Sequence, residues 1–403
     1  MAPANQVNNP AGSQATTTPG RMISQPAGAC GECRSTEPGY GCRVRTVDPD
    51  AASPHLIGLD LGGTKLAGGV VALDADGRAR LVVEERVPTP DSSAALVRAL
   101  VDLVAHLRSV SPHPPVAVGA GIAGHIGLDG IAVQAANTPM VVGVDLAGPL
   151  REASGLPVRI DNDANVVALA AQRQLAPDAR ALVAVTFGTG IGGGLVLDGA
   201  LWRGAAGLAG EPGHMVVAAD GPLCRCGQRG CWEAVASGTA LGEAARRAVA
   251  DGEAPDLAAR WSNSGRLDGQ AVVAGLRAGE ADAEAVWQGW TGWVAVGLAN
   301  LIQLIDPDVI VLGGGVSASG ELLASAVTAH LEAMSVAWSH RRIDLRCAPG
   351  GPLAGVVGAA LIGWEDQAVP ERAAADVAAP NPSRQNVTMS SATASAARPP
   401  LQP

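Results

Sequence analysis

Three turns in this 403-residue chain pair glycine with a position just after an apolar run. Such turns do one kind of chemistry well, because their backbone N–H groups can bind phosphate oxygens. They are Asp60-Leu61-Gly62-Gly63-Thr64-Lys65, then Gly188-Thr189-Gly190-Ile191-Gly192-Gly193-Gly194, and Gly313-Gly314-Gly315. Lys65 is the only lysine among the 28 basic residues, although a single lysine has to fall somewhere. The second turn also reads G-x-G-x-x-G, with Glu211 at about the distance of a ribose-binding acid in a dinucleotide site. A dinucleotide turn opens a helix, whereas the LVLDG segment after this one reads as the second strand of a hairpin. The first turn misses the P-loop pattern, since Leu59 stands where the leading glycine belongs.

A second constellation is Glu211, His214, Cys224, Cys226, Cys231 and Glu233. His214 and the three cysteines supply the four N and S ligands of a tetrahedral zinc. Cys-x-Cys bridges itself awkwardly, and a reducing cytosol disfavours disulfides. Four ligands leave no open coordination position, so the expected zinc is structural. Cys30, Cys33 and Cys42 form a looser set, read as solvated thiols.

These groups need elements to hold them. HLIGLDLGG, LAGGVVALDADG and ARLVVEERV read as three short strands, a meander that carries the first turn. Ser93 to about Val110 reads as a helix, PVAVGAGIAG and PVRIDND as strands, and about Ala164 to Leu175 as a helix. Asp163 then stands where a strand gives way to a helix, a rigid junction from which a carboxylate can project, or where it can cap the helix. ALVAVTFGTG and the run after it predict a hairpin around the second turn, and DPDVIVLGGG a strand ending in the third, followed by a helix over about Gly320–Met334. A long helix is predicted from about Ala281 to Ile305, with Trp287, Trp290 and Trp293 on its buried face, and LAGVVGAALIGW as a last helix.

The order LDLGGTK, NDAN, GTGIGGG, EPGH, CRCGQRGCWE and DPDVIVLGGG resembles the ROK family, which holds sugar kinases and sugar-responsive repressors, over roughly residues 56–365. The three turns resemble the phosphate 1, phosphate 2 and adenosine motifs of the actin-like ATPase superfamily. The resemblance implies an α/β, two-lobed, ribonuclease H-like fold with an interlobe cleft. A small lobe of residues 55–160 would be joined by a C-terminal helix at about 351–366, and a large lobe of 161–350 would carry the zinc site.

Position by position, the resemblance makes Asp163 the catalytic base and Gly124, Asn137, Asn162, Glu211, His214 and Glu233 sugar contacts. It makes Asp60, Gly62, Gly63, Thr64, Lys65, Gly188, Thr189, Gly190, Gly192, Gly193, Gly313, Gly314 and Gly315 the nucleotide set, and His214, Cys224, Cys226 and Cys231 the zinc ligands. ATP with Mg²⁺, a homodimer and phosphorylation of a hexose follow as expectations, glucose first and N-acetylmannosamine or N-acetylglucosamine as the alternative. Physical chemistry agrees: a ring of hydroxyls is gripped by carboxylates and amides, and one hydroxyl must lose its proton to a base. The chain departs from many family kinases where Ala123-Gly124-His125 replaces Pro-Gly and where the Asn137 to Met140 loop lacks an aromatic, which bears on substrate identity. Gly124, His125 and Asn137 are the residues expected around the sugar's 2-position.

Composition narrows the classes. A net charge of −10 without a basic patch opposes nucleic-acid binding, and no run of about 18 apolar residues predicts a membrane span. The N-terminus lacks the order of a secretory signal, so a cytoplasmic protein is expected. Residues 1–54 and 367–403, rich in Pro, Ser, Thr, Asn or Ala, read as a disordered leader and tail. The leader offers no pair of amphipathic helices for DNA, which makes the repressor the lesser expectation.

Overall fold

Strand β1 (His55–Leu61) is apolar on both faces: Ile57, Leu59 and Leu61 join one core cluster, and Leu56 joins another on the opposite side. A strand covered on both sides has to read as a nearly continuous apolar run, and this one does. The computed structural model describes residues 53–334, 338, 340–341, 343–348 and 353–368. Residues 1–52, with cysteines 30, 33 and 42, and residues 369–403 lie outside the described residues, while 367–368, expected in the tail, belong to the last helix.

Around β1 the chain builds β2 (Lys65–Leu73), β3 (Ala79–Pro88), helix α1 (Ser93–Val110), β4 (Pro115–Ile122), a small hairpin of β5 (His125–Ile126) and β6 (Ala132–Gln134), helix α2 (Ala147–Ser154), β7 (Val158–Asn162) and helix α3 (Asp163–Leu175). The second half repeats the plan with β8 (Ala181–Phe187), β9 (Ile191–Leu197) and β10 (Ala200–Leu201). Helices α4 (Trp232–Ala236), α5 (Gly238–Ala250), α6 (Pro255–Ser264), α7 (Gly269–Ala278) and α8 (Ala281–Ile305) follow, then β11 (Val309–Gly313), α9 (Glu321–Met334), β12 (Asp344–Cys347) and α10 (Leu353–Ala368).

The two five-stranded sheets have the same order, β3-β2-β1-β4-β7 and β10-β9-β8-β11-β12. In each, an antiparallel meander comes first and two parallel strands extend the sheet from the meander's first strand. The first two glycine turns are therefore equivalent, each joining the first strand of its sheet to the second. The hairpin at the second turn has β8 and β9 in full antiparallel register from Ala181–Leu197 to Phe187–Ile191, the geometry that rules out a dinucleotide turn there.

Helix α1 places Leu96, Leu100, Leu103, Val104 and Leu107 on one stripe and covers an outer face of the first sheet, while α4 to α9 cover an outer face of the second. Between the sheets lie α3 and α10, exchanged between the halves. α3 packs on β8 and β9, and α10 packs on β1 and β4. The approach of α10 is close enough that a Cβ on Gly58 or Gly119 would overlap the carbonyl oxygens of Val356 and Ala359.

One expectation about α8 needs correcting. Trp287 and Trp290 are buried, but Trp293 is 39% exposed. Three-residue steps slip backwards by about 60° each on a 3.6-residue helix, so the third tryptophan has rotated off the buried stripe. No described helix is long and apolar enough to cross a membrane.

Candidate active site

β7 gives way to α3 at Asn162 and Asp163. Asn162 is the N-cap: its Oδ1 accepts from the backbone N–H of Ala164 at 2.8 Å and of Asn165 at 3.0 Å, and its Nδ2 donates to the Gly124 carbonyl at 2.9 Å. The capping role that the sequence allowed Asp163 thus falls to its neighbour. Asp163 becomes the first helical residue, its Oδ1 accepting from Ala164 N–H at 2.9 Å.

The Asp163 carboxyl lines a cavity of about 420 Å³. Gly62, Gly63, Gly124, Asn137, Asn162, Gly188, Thr189, Gly190, Gly192, Glu211, His214, Glu233 and Gly314 line it too, so turns from both sheets and the EPGH segment meet in one space. Burial holds Asp163 above the usual carboxylate range, against the pull of its backbone hydrogen bonds. Asp60, at the end of β1, is raised to about 6 by burial and then by the charge of Asp163. Burial raises Glu211 as well, although His125 and His214 draw it back. Carboxylates gathered in a poorly hydrated space take up cations, protons or hydroxyl donors, which is the electrostatic signature of a reactive site.

The side chains around the cavity brace one another. His125 Nε2 stands 3.3 Å from Glu211 Oε1. Glu233 Oε2 accepts from Ile191 N–H at 2.9 Å, which ties α4 to the second turn, and its Oε1 lies 3.6 Å from Cys224 Sγ. Trp232, fully buried beside Glu233, donates from Nε1 to the Trp293 carbonyl at 2.8 Å and so fixes Cys231 and Glu233 on either side of it.

His214, Cys224, Cys226 and Cys231 offer ligand atoms that all lie within 4.8 Å of one another. Cys224 Sγ is 3.9 Å from His214 Nδ1, and Cys226 Sγ is 3.6 Å from Cys231 Sγ. The edges of a tetrahedron around a zinc-sized ion with such ligands are about 3.5–3.8 Å, so the four atoms can hold a metal. Burial pushes the Cys231 thiol up to about 12 and raises Cys224, disfavouring the thiolates that a bound cation would stabilise.

Several residues expected to meet the nucleotide stand back from this cavity. Lys65 is exposed at the start of β2, Gly193 packs on the Pro212 ring, and Gly313 lies against Thr186. The N–H groups of Gly62 and Gly188 close their own turns on the carbonyls of Lys65 (3.0 Å) and Gly190 (2.9 Å). Gly315 belongs instead to a neighbouring cavity of about 690 Å³ that shares Gly188 and Thr189. Its wall holds Thr239, Arg246, Arg266, Gln270 and Arg277, which the sequence reading passed over because no motif marks them. α5 meets the second turn there, with Gly238 N–H donating to the Gly188 carbonyl at 2.9 Å and Thr239 Oγ1 to that of Thr189 at 2.8 Å.

The ROK family pattern matches residues 56–365. The glucokinase of Streptomyces coelicolor is 35% identical over 314 residues, covering 77% of this chain and 97% of its own. The N-acetylmannosamine kinase of Citrobacter koseri is 34% identical over 320 residues, covering 77% and 99%. Among solved structures, a ROK family glucokinase from Streptomyces griseus in complex with glucose and AMPPNP is 34% identical, with a TM-score of 0.66 over 77% of this chain and 99% of that one. Because the match spans residues 56–365, from β1 past the three glycine turns and the cysteine cluster into α10, this chain belongs to the ROK family and has its actin-like type of fold.

Proposed function

We propose that this chain is an ATP-dependent hexose kinase that converts glucose to glucose 6-phosphate. The observation that carries the reading is Asp163, a desolvated carboxylate placed where glycine turns of both sheets and a set of sugar-type hydrogen-bonding groups share one cavity. Asn137, the second N–H of Asn162, Glu211, His214 and Glu233 grip the ring hydroxyls. Asp163 accepts the proton of the 6-hydroxyl as that oxygen forms its bond to the γ-phosphorus, and the bond to the bridging oxygen breaks to release ADP. The exposed amides of the turns at Gly63–Thr64 and Thr189–Gly190 face the phosphates, and the neighbouring cavity, with Thr239 and its three arginines, receives the nucleoside end.

Asp60 fits a hard divalent cation, being an oxygen donor whose own charge is disfavoured beside Asp163, and Mg²⁺ there would neutralise phosphate charge. His214 Nδ1 with Cys224, Cys226 and Cys231 would hold one structural zinc, which fixes the imidazole so that Nε2 is presented to the sugar. The thiol cluster suits a reducing, cytoplasmic setting, and family likeness makes a homodimer the expected state, which sedimentation checks.

N-acetylated hexosamines are the second substrate class, favoured by the likeness to an N-acetylmannosamine kinase. A coupled ADP-release assay across glucose, mannose, fructose, allose and the two N-acetylated sugars tests both. Glucose is expected to lead in kcat/KM; an N-acetylated sugar ahead by about tenfold, or about 1.4 kcal/mol in the transition state, would reassign the substrate, and no turnover of any sugar would sink the kinase reading.

A further inference from the structure

We propose that Arg203 is a positioning residue for phosphoryl transfer, acting through Asp161 to hold the strand end that presents Asp163 against the loop that ends in Glu211. The inference rests on the kinase reading and gives a role to two side chains that do not line the cavity.

Arg203 follows β10 and opens the loop leading to Glu211, whereas Asp161 is the last residue but one of β7. β10 and β7 belong to different sheets. Arg203 Nε nevertheless donates to Asp161 Oδ2 at 2.6 Å, with the two side chains only 18% and 6% exposed. The other oxygen, Oδ1, accepts from the Asn162 N–H and from Asn165 Nδ2, each at 2.8 Å. One carboxylate therefore gathers the residue before Asp163, a residue one half-turn after it and the root of the loop. A carboxylate so far from water requires a matched charge, and the rigid guanidinium plane supplies one in a fixed direction.

The rest of the loop is held by its backbone. Ala209 N–H donates to the Arg203 carbonyl at 3.1 Å and closes the loop on itself. Gly207, at φ +84°, lies against the hairpin of β5 and β6, where a Cβ would come within 2.7 Å of the Ile126 carbonyl oxygen. The loop is thus a braced arm with Arg203 at its root and Glu211 at its tip; His125 meets the tip, and the ion pair at the root joins the arm to the strand that presents the base. A pair that merely added stability could sit anywhere between the sheets. This one is two residues from Asp163, at the point where the spacing between base and sugar-gripping carboxylate is set.

Misplacing reacting groups by about 1 Å can cost about 100-fold in rate, so the effect should appear in kcat more than in binding. The test compares Arg203→Met, Asp161→Asn and the double variant with the wild type, using glucose and ATP for turnover, calorimetry for glucose binding and thermal melting for the fold. Each single change is expected to lower kcat by about 30- to 100-fold while glucose Kd moves by less than about threefold, and the double variant should be no worse than about twofold below the poorer single. Arg203→Lys, which keeps the charge but loses the fork, should recover about tenfold over Arg203→Met. Folded variants with kcat within about threefold of wild type, or strictly additive losses, would overturn the proposal. If Arg203→Met does not fold, the isosteric Asp161→Asn decides by the same thresholds. A wild-type protein that phosphorylates no sugar removes the kinase reading and this inference together, whereas normal wild-type turnover with unaffected variants removes this inference alone.

Discussion

Asp163 enters the cavity as the first residue of α3, with its neighbour doing the capping, and this division of labour makes the proposed base testable on its own. Asp163→Asn keeps the shape and leaves the cap intact. Turnover should fall by about 10²–10⁴-fold, with glucose affinity by calorimetry within a few-fold of wild type; a loss below about tenfold would reduce Asp163 to a positioning group. Its protonation gives a second test. Burial raises the Asp163 pKa, and only the ionised form accepts a proton, so kcat/KM should fall as pH drops, with a midpoint above the ordinary 3.8. An activity plateau that persists below pH 4 would contradict this assignment. The junction itself was legible, because PVRIDND has strand character and an apolar helical pattern follows it. The choice of cap was not, since Asn and Asp are equally good caps and adjacent positions differ only in where the backbone turns. Nor could spacing reveal that the charge of Asp163, just beyond β7, bears on Asp60 in β1 of the same sheet.

At the scale of elements, the cysteine knuckle and the exchanged helix carry separate predictions. Cys226→Ser should lose the proposed zinc, about one equivalent by metal analysis, and lower the melting temperature, and the freed His214 ring should raise the glucose KM more than it lowers kcat. Retention of the metal in that variant would show that Cys226 is no ligand. Gly58→Ala forces a methyl into the α10 backbone, and overpacking of this kind costs about 1–3 kcal/mol or more, readable as a lower urea midpoint. An unchanged midpoint would mean that α10 shifts freely over the first sheet. Helix limits such as 93–110 and 281–305 were legible because long apolar periodicity and clear stops mark them. The exposure of Trp293 was not, since three-residue spacing looks like a stripe until the drift is counted. The close approach of α10 to Gly58 and Gly119 was not legible, because a glycine within a strand does not say which backbone it meets.

For the whole molecule, every described residue that lines the two cavities falls between Gly62 and Ser319. Removing residues 1–52 and 369–403 is therefore expected to leave kcat within about twofold, and a large loss would show that a terminal segment contributes to the site. The order of the glycine turns carried the fold in the sequence, because each needs a strand before it. The shared strand order of the two sheets was not visible, since the second half interposes five helices, α4 to α8, where the first has α1 alone. The exchange of α3 and α10 has a consequence in time. The ribosome completes β1 about 290 residues before it begins α10, and at about 5–20 residues per second the face of the first sheet that holds Gly58 and Gly119 waits roughly 15–60 s for its cover. Over that interval the nascent chain carries a bare apolar surface, and a transcript that stops short of residue 353 encodes a permanently uncovered sheet, a substrate for chaperones and proteases.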